Sequence, residues 1–290
     1  MPEGSLSIGN VEILILTDID SGLPLRQLFP GVPSEAWAPY RQRYPEAFND
    51  PDTARIHFGG FLLRSQGRTF LVDTGIGSNA TNPGAVAAFA GGVDGSLMAD
   101  LQAVGVRPEG VDTVFFSHLH PDHIGWNLTR SGRGRVPRAT FPRARYVTHQ
   151  ADWDAFKKPE VQGLFPFPFW EETTGPLERL GVLDLITGER ALTSEITAIH
   201  TPGHTPGSMS LIISSAGQRA FILGDVFHTP AQVQETDWHF FADIDPALAV
   251  QTRRRMMDRV EAENAAIVAC HHARFGRVVR IQGRRYWQGI

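Results

Sequence analysis

The chain alternates short apolar runs with turn-rich connectors, and one late stretch carries a long helical period. Val11-Glu12-Ile13-Leu14-Ile15-Leu16-Thr17 reads as a first strand, closed by Asp18-Ile19-Asp20-Ser21-Gly22. Residues 57–63 and 69–73 have the β-branched and aromatic content of two strands, and Ser65-Gln66-Gly67 joins them as a hairpin. Asp112-Thr113-Val114-Phe115-Phe116 is too short and too rich in β-formers for a helix, so a buried strand is expected there. Further strands are expected at 145–148, 182–186, 196–200, 208–214, 218–223 and 265–270. Short helices are expected at 97–104, capped by Ser96 and closed by Gly105, from His149 onward, and at 174–180. Residues 247–262 have the helical period, with Asp245 as N-cap and Pro246 in the first helical position.

Two stretches fit neither period. In residues 22–55, six prolines from Pro24 to Pro51 punctuate the aromatics Phe29, Trp37, Tyr40, Tyr44 and Phe48. The prolines preclude a long helix, and the aromatics argue against disorder. An ordered arm is expected, with a helical turn over 34–44 capped by Ser34. It could cap the active site, pack on a second subunit as in a homodimer, or fill a surface groove. The other stretch is an aromatic insertion at 153–176, centred on Phe165-Pro166-Phe167-Pro168-Phe169-Trp170. Prolines alternating with aromatics make a stiff loop, and Phe167, Phe169 and Trp170 are candidates for the wall of a substrate pocket.

Composition narrows the class. A chain of 290 residues with 42% hydrophobic side chains buries a large core without staples, and a single domain over 1–290 is expected. Net charge is 27 − 31 = −4, which disfavours nucleic acid and anionic membrane as partners. The densest basic stretch, Arg130, Arg133, Arg135, Arg138, Arg143 and Arg145, is interleaved with Gly and Pro and reads as a solvated loop. Cys270 is the only cysteine, which excludes an internal disulfide and fits a reducing compartment. It falls in the apolar run 265–270, as a small core residue rather than a nucleophile. Met1-Pro2-Glu3-Gly4-Ser5 lacks the basic-then-apolar pattern of a secretory signal, and no apolar run approaches the roughly 20 residues of a membrane span. A soluble, cytoplasmic protein acting on a small molecule is expected.

The chemistry is concentrated in Ser117-His118-Leu119-His120-Pro121-Asp122-His123. His118 and His120 are two apart, so on an extended segment they point the same way. Pro121 then turns the chain, and Asp122 and His123 face a neighbouring point. Two imidazoles at one point and a carboxylate plus an imidazole at another is the layout of a two-metal site, with ions about 3.5–4 Å apart. Packed together without a cation, four such groups would need many partners.

His118-Leu119-His120-Pro121-Asp122-His123 resembles the signature of the metallo-β-lactamase-fold hydrolases. The likeness continues with His204 in Thr201-Pro202-Gly203-His204, Asp225 in Leu223-Gly224-Asp225, and His271 or His272 after Cys270. Of the last two, His271 is favoured because the strand delivers it first. The resemblance implies an α/β, four-layer αββα sandwich, with two mixed β-sheets face to face and helices outside. It implies one ion on His118, His120 and His204, a second on Asp122, His123 and His271, and Asp225 bridging them. Asp73-Thr74-Gly75 resembles the family's turn in which the Asp supports a ligand histidine from behind. Two divalent ions are implied. The donor set suits Zn²⁺ and leaves Mn²⁺, Fe²⁺ and Co²⁺ open. Such ions lower the pKa of a bridging water from 15.7 toward about 7 for attack on a carbonyl or phosphoryl centre, with Asp122 relaying the proton.

Within the family, flavodiiron proteins carry Glu where this chain has His120, and true β-lactamases usually lack the Asp225-type bridge. The glyoxalase II-type thioesterases bring a C-terminal region that is absent here. Acyl-homoserine lactonases share the ligand set but have Tyr where this chain has His228. Gly224-Asp225-Val226-Phe227-His228 and Asp243-Ile244-Asp245-Pro246 are more similar to methyl parathion hydrolase-like enzymes. The expectation is a dinuclear hydrolase of lactones, aryl esters or phosphotriesters bearing a hydrophobic group, with His228 contacting substrate or leaving group. The alternatives are an inactive binding protein on the same fold, or a thioesterase or phosphodiesterase.

Overall fold

The computed structural model describes residues 4–131, 136–165 and 167–290. Arg133, Arg135, Pro166 and the first three residues, which entered the expectations above, lie outside the described residues. Among the described residues, the first sheet has eight strands. They are β1 (Ser5–Ile8), β2 (Val11–Pro24), β3 (Phe48–Asp50), β4 (Thr53–Ser65), β5 (Arg68–Val72) and β6 (Thr113–Phe115), and, after a ribbon β7 (Leu128–Ser131) and β8 (Val136–Ala139), β9 (Arg145–His149) and β10 (Leu183–Ile186). The second has seven, β11 (Arg190–Ala191), β12 (Ile196–His200), β13 (Met209–Ser215), β14 (Gln218–Ile222), β15 (Ala266–Val268), β16 (Gly276–Ile281) and β17 (Arg284–Gly289). Both mix parallel and antiparallel pairs.

Alternation along the strands builds the layers, since successive side chains point to opposite faces. Phe61, Leu63, Phe70 and Phe115 from one sheet meet Met209, Leu211, Ile213 and Ile222 from the other in a dry central layer. The opposite face of the first sheet, with Leu62, Leu71 and Val114, packs on Leu97, Leu101, Trp153 and Phe156 from two short helices. The opposite face of the second, with Ile212, Phe221 and Ile267, packs on Met256, Met257 and Val260 of the long helix. The result is the four-layer αββα sandwich.

The helices are α1 (Leu25–Leu28), α2 (Ala38–Arg43), α3 (Pro83–Ala90), α4 (Leu97–Ala103), α5 (Gln150–Phe156), α6 (Pro159–Gln162), α7 (Pro176–Arg179) and α8 (Pro246–Ala262). Asp245 caps α8 as expected, accepting from Leu248 N at 3.0 Å. Ser96 does not cap α4. Its place is taken by Asp18, whose Oδ1 accepts from Leu97 N at 2.9 Å, because a bulge in β2 between Thr17 and Ile19 turns Asp18 inward. Ser34 is likewise no cap. It begins a 3₁₀ turn, and its hydroxyl meets Asp52.

The strand expected to come first, at Val11, is β2, preceded by β1; it runs on to Pro24, longer than its apolar pattern, because β4 pairs with it along the whole length. The arm that follows is ordered against its own chain: Phe29, Trp37, Tyr40 and Tyr44 are all buried, and Trp37 packs against Trp238 with ring centroids 4.5 Å apart. The 153–176 stretch is only partly loop. It contains the end of α5, the short α6 and a π-helical turn at Trp170–Thr174. In the basic stretch, Arg130 donates to Glu171 O and Arg145 to Gly181 O, so these guanidinia stitch loops together.

Candidate metal centre

Strand direction gathers the site. β5, β6 and β9 are parallel, so the loops after β5 (Asp73) and β6 (residues 117–123) leave from one edge of the first sheet. In the second sheet β14 is parallel to β15, and β12 runs the same way because two antiparallel steps separate it from β14. The loops carrying His204, Asp225 and His271 therefore leave from one edge too. The two edges meet.

His118 Nε2 lies 3.0 Å from His120 Nδ1, which is 2.9 Å from His204 Nε2. What sits behind each ring fixes its tautomer. Ser117 Oγ donates to Asp73 Oδ2 at 2.7 Å, so the 3.0 Å contact from His118 Nδ1 to that hydroxyl is an N–H donation. His204 Nδ1 donates to Asp243 Oδ1 at 2.9 Å. Both Nε2 atoms thus present lone pairs to the same nitrogen of His120, which can donate one proton at most. Three converging imidazole nitrogens are short of protons and suited to a cation. A tetrahedral zinc with Zn–N of ~2.0–2.1 Å spaces its donors by about 3.3 Å, close to what is seen.

Asp122, His123 and His271 form a second group, with Asp122 Oδ2 at 3.4 Å from His123 Nε2 and 3.5 Å from His271 Nε2. Here too the rings are held from behind. His123 Nδ1 donates to Asp73 Oδ2 at 3.0 Å, and His271 Nδ1 to the backbone carbonyl of His57 at 3.0 Å. His123 Nε2 is buried without a hydrogen-bond partner. His272 turns away, with its ring centroid 4.6 Å from that of Trp287, so His271 is the one at the cluster.

Asp225 lies between the groups. Its Oδ2 is 3.0 Å from His271, 3.3 Å from His204, 3.6 Å from His123 and 3.8 Å from His118, while Oδ1 is buried and unpartnered. Burial by itself would raise its pKa; the imidazoles of His271, His123 and His118 outweigh it and hold the carboxyl well below the usual range. Burial, then the neighbouring rings, push His118 and His120 well below an ordinary histidine, which keeps their lone pairs free. Asp73 accepts from Ser117 N (2.7 Å), Ser117 Oγ, His123 Nδ1 and the Cys270 thiol (3.3 Å), in the left-handed conformation at φ 62°.

Three buried groups went unrecognised in the sequence. Asp152, at the start of α5, accepts from Leu119 N, Thr205 Oγ1 and Gly207 N at 3.1, 2.9 and 2.5 Å, tying the His118–His120 loop to the His204 loop. Burial lifts its pKa to about 6. Asp243 stands behind His204. Arg253 of α8, fully buried, donates to Val226 O, Thr236 O and Trp238 O and faces Asp243 Oδ2 at 3.7 Å. Nothing local marks these residues, because each takes its role from partners 10 or more positions away.

A cavity of about 270 Å³ opens on the cluster, with His120, Asp122, His204, Asp225 and His271 at its base. Its walls include Leu23 and Leu28 from the arm, Phe89 of α3, Phe165 and Phe167, and Phe240 and Phe241. Of the three expected wall residues, Phe167 lines it. Phe169 and Trp170 do not: the helical turn that starts there carries both into the core, Phe169 against Phe156 and Trp170 against Trp153. His228 is not on the cavity either. Phe240 stacks over it at 3.5 Å and 11°; the His228 Nε2 lies 3.3 Å from Asp225 Oδ2, and neither ring nitrogen has a hydrogen-bond partner. Burial lowers its pKa to about 4.

Residues 60–271 match the family model of the metallo-beta-lactamase superfamily. The chain belongs to that superfamily. It is a hydrolase of this fold. The N-acyl homoserine lactonase AiiA of Bacillus thuringiensis subsp. kurstaki is 25% identical over 223 residues, 73% of this chain and 79% of its own. The N-acyl homoserine lactonase AttM of Rhizobium radiobacter is 28% identical over 192 residues, 61% of this chain and 64% of its own. Among solved structures, the hydrolase AbOPH of the beta lactamase superfamily superposes with a TM-score of 0.81 at 24% identity, over 99% of this chain and 96% of the other. AidC, a dizinc quorum-quenching lactonase, gives 0.79 at 21%, over 99% and 96%. At those identities the structural likeness speaks for the fold alone. No helix among the described residues of this superfamily member is long and apolar enough to cross a membrane.

Proposed function

We propose that residues 1–290 act as one unit, a dinuclear metallohydrolase of lactones, aryl esters or phosphotriesters that carry a hydrophobic group. The observation that supports it most is the convergence of His118 Nε2, His120 Nδ1 and His204 Nε2, two of them with their protons drawn off behind, beside the unpartnered Oδ1 of Asp225. One ion is assigned to His118, His120 and His204, the other to Asp122, His123 and His271, with Asp225 shared. The set is nitrogen-rich with two carboxylates and no thiolate, which fits Zn²⁺ and also accommodates Mn²⁺, Fe²⁺ or Co²⁺. Bound there, the two ions would supply hydroxide at neutral pH and positive charge for the developing oxyanion.

The chain's own groups do the rest. Asp73 and Asp243 hold His123 and His204 in the tautomer that offers Nε2 inward. Asp122 is the more exposed of the two carboxylates in the cluster and reaches the cavity, so it is assigned the proton relay. His228, covered by Phe240, bears on Asp225 rather than on substrate. The apolar walls exclude water and orient a hydrophobic group. The N-acyl homoserine lactonases among the relatives favour a lactone within this range.

The test is metal content of the purified protein together with hydrolysis of an acyl-homoserine lactone, an aryl ester and a phosphotriester. Two ions per chain and activity lost in Asp225→Ala are expected. A protein that binds no metal and is not activated by added Zn²⁺ or Mn²⁺ would be a binding protein on a hydrolase fold.

A further inference from the structure

The cavity has one polar end. Among the described residues, every side chain on its walls outside the candidate metal cluster is carbon only, and none is charged. The walls come from five separate parts of the chain, so this is not the accident of one apolar segment: Leu23 and Leu28 lie in the arm, Ile56 and Phe58 in β4, Phe89 in α3, Phe167 in the 157–169 stretch, and Phe240 with Phe241 before α8. Nor do the last two offer backbone donors. Phe240 N is committed to Asp243 Oδ2 at 3.1 Å and Phe241 N to Leu28 O at 2.9 Å. His228, which could have reached in, is sealed behind Phe240.

A substrate whose only polar group is the electrophile meets its needs here: the reacting ester or phosphoryl group sits at the cluster, and all else touches carbon. A substrate with a second polar group beside the electrophile does not. In an N-acyl homoserine lactone the amide is attached to the carbon next to the reacting carbonyl, so it must enter with the ring and cannot stay in water at the mouth. Its N–H and C=O would lose hydration and meet no polar side chain on the walls, and an unmade hydrogen bond of that kind weakens binding.

We infer that this enzyme is selective for uncharged, amide-free lactones and esters with alkyl or aryl substituents, and discriminates against amide-bearing acyl-homoserine lactones. The inference rests on the hydrolase reading above and narrows its substrate.

The experiment uses the metal-loaded protein and a matched pair, N-hexanoyl-homoserine lactone and α-heptyl-γ-butyrolactone. These have the same ring, the same attachment carbon and side chains of equal length. Each kcat/KM is divided by the lactone's own alkaline hydrolysis rate, because the amide activates its carbonyl. The normalised value is expected to favour the alkyl lactone on the order of ten-fold. Ala242→Ser and Phe89→Tyr each add a hydroxyl to the wall, and at least one should move the ratio toward the amide. Equal or faster turnover of the acyl-homoserine lactone overturns the inference and leaves the hydrolase standing. Turnover of neither lactone nor of an aryl acetate, by protein shown to carry two ions, overturns the hydrolase reading and this one with it.

Discussion

The base and the walls of the cavity are built by opposite rules. At the base, the rings of His118, His123, His204 and His271 are each fixed from behind by a hydroxyl, a carboxylate or a backbone carbonyl, with contacts of 2.9–3.0 Å. Hydrogen bonds are directional, so they set where a nitrogen points as well as where a ring sits. The wall side chains are held by contact alone, as in the edge-on packing of Phe165 on Phe169 at 4.9 Å. Apolar contact has no preferred direction and tolerates exchange of one ring for another of similar volume. The chemistry should therefore be brittle to conservative change and the substrate range should be easy to shift.

Substitutions at the base should have the largest effects. Asp225→Ala removes the carboxylate common to both groups and is expected to lower activity by more than about 100-fold, the upper end for losing even an outer partner of a metal ligand. Protein with near-normal turnover and two ions by metal analysis would show that Asp225 is not shared. Asp73→Asn keeps the shape but turns an N–H toward donors that now meet a carboxylate oxygen. Metal affinity by chelator competition should fall roughly 10–100-fold. An unchanged affinity would mean that Asp73 serves the loop and not the ligands.

Two neighbouring phenylalanines sharpen the contrast within the walls. Phe169→Ala, in the core, should destabilise the fold by about 3–5 kcal/mol in denaturant unfolding. Phe167→Ala, at the cavity, should cost less stability and change kcat/KM by roughly ten-fold, with a new rank order of substrates. Equal destabilisation by both would place Phe167 with the core.

The smallest effect is on the far side of α5. His149 stacks on His200 with centroids 4.2 Å apart, and its Nδ1 accepts from Ala151 N at 3.1 Å as the cap of α5. Burial lowers its pKa to about 4, against an ordinary value of 6.5. A neutral, buried histidine stabilises the fold fully above pH 6.5, and that contribution is lost as pH falls from there toward 4. His149→Asn keeps a capping acceptor and removes the titration. Its Tm should therefore drop less than that of the wild type between pH 7 and 4.5, and parallel drops would remove His149 from the account.

Part of the cluster was legible because four donors crowd within six positions at 118–123, while His204, Asp225 and His271 were reached through the family resemblance. Apolar runs marked the central strands of both sheets, since a half-buried strand must alternate or be apolar throughout, but not β1, β3, β11, β16 or β17. What escaped the sequence depends on partners distant in the chain. The apolar pattern of β2 ends near Thr17, yet the strand continues to Pro24 because β4 is there to pair with it. Asp18 rather than Ser96 meets the start of α4 because a bulge turns it inward.

By itself, then, the sequence determined the crowded donors at 118–123 and the aromatic content of their surroundings through short-range spacing, and the layered class and the remaining donors through motifs that resemble a known family. Tertiary structure alone decided that Phe167 faces the cavity while Phe169 and Trp170 face the core, and that Phe240 closes over His228. It also decided that Asp152, Asp243 and Arg253 converge behind the site from helices and loops far apart in the chain. Which way a side chain faces depends on what the rest of the chain packs against it, and no local pattern carries that information.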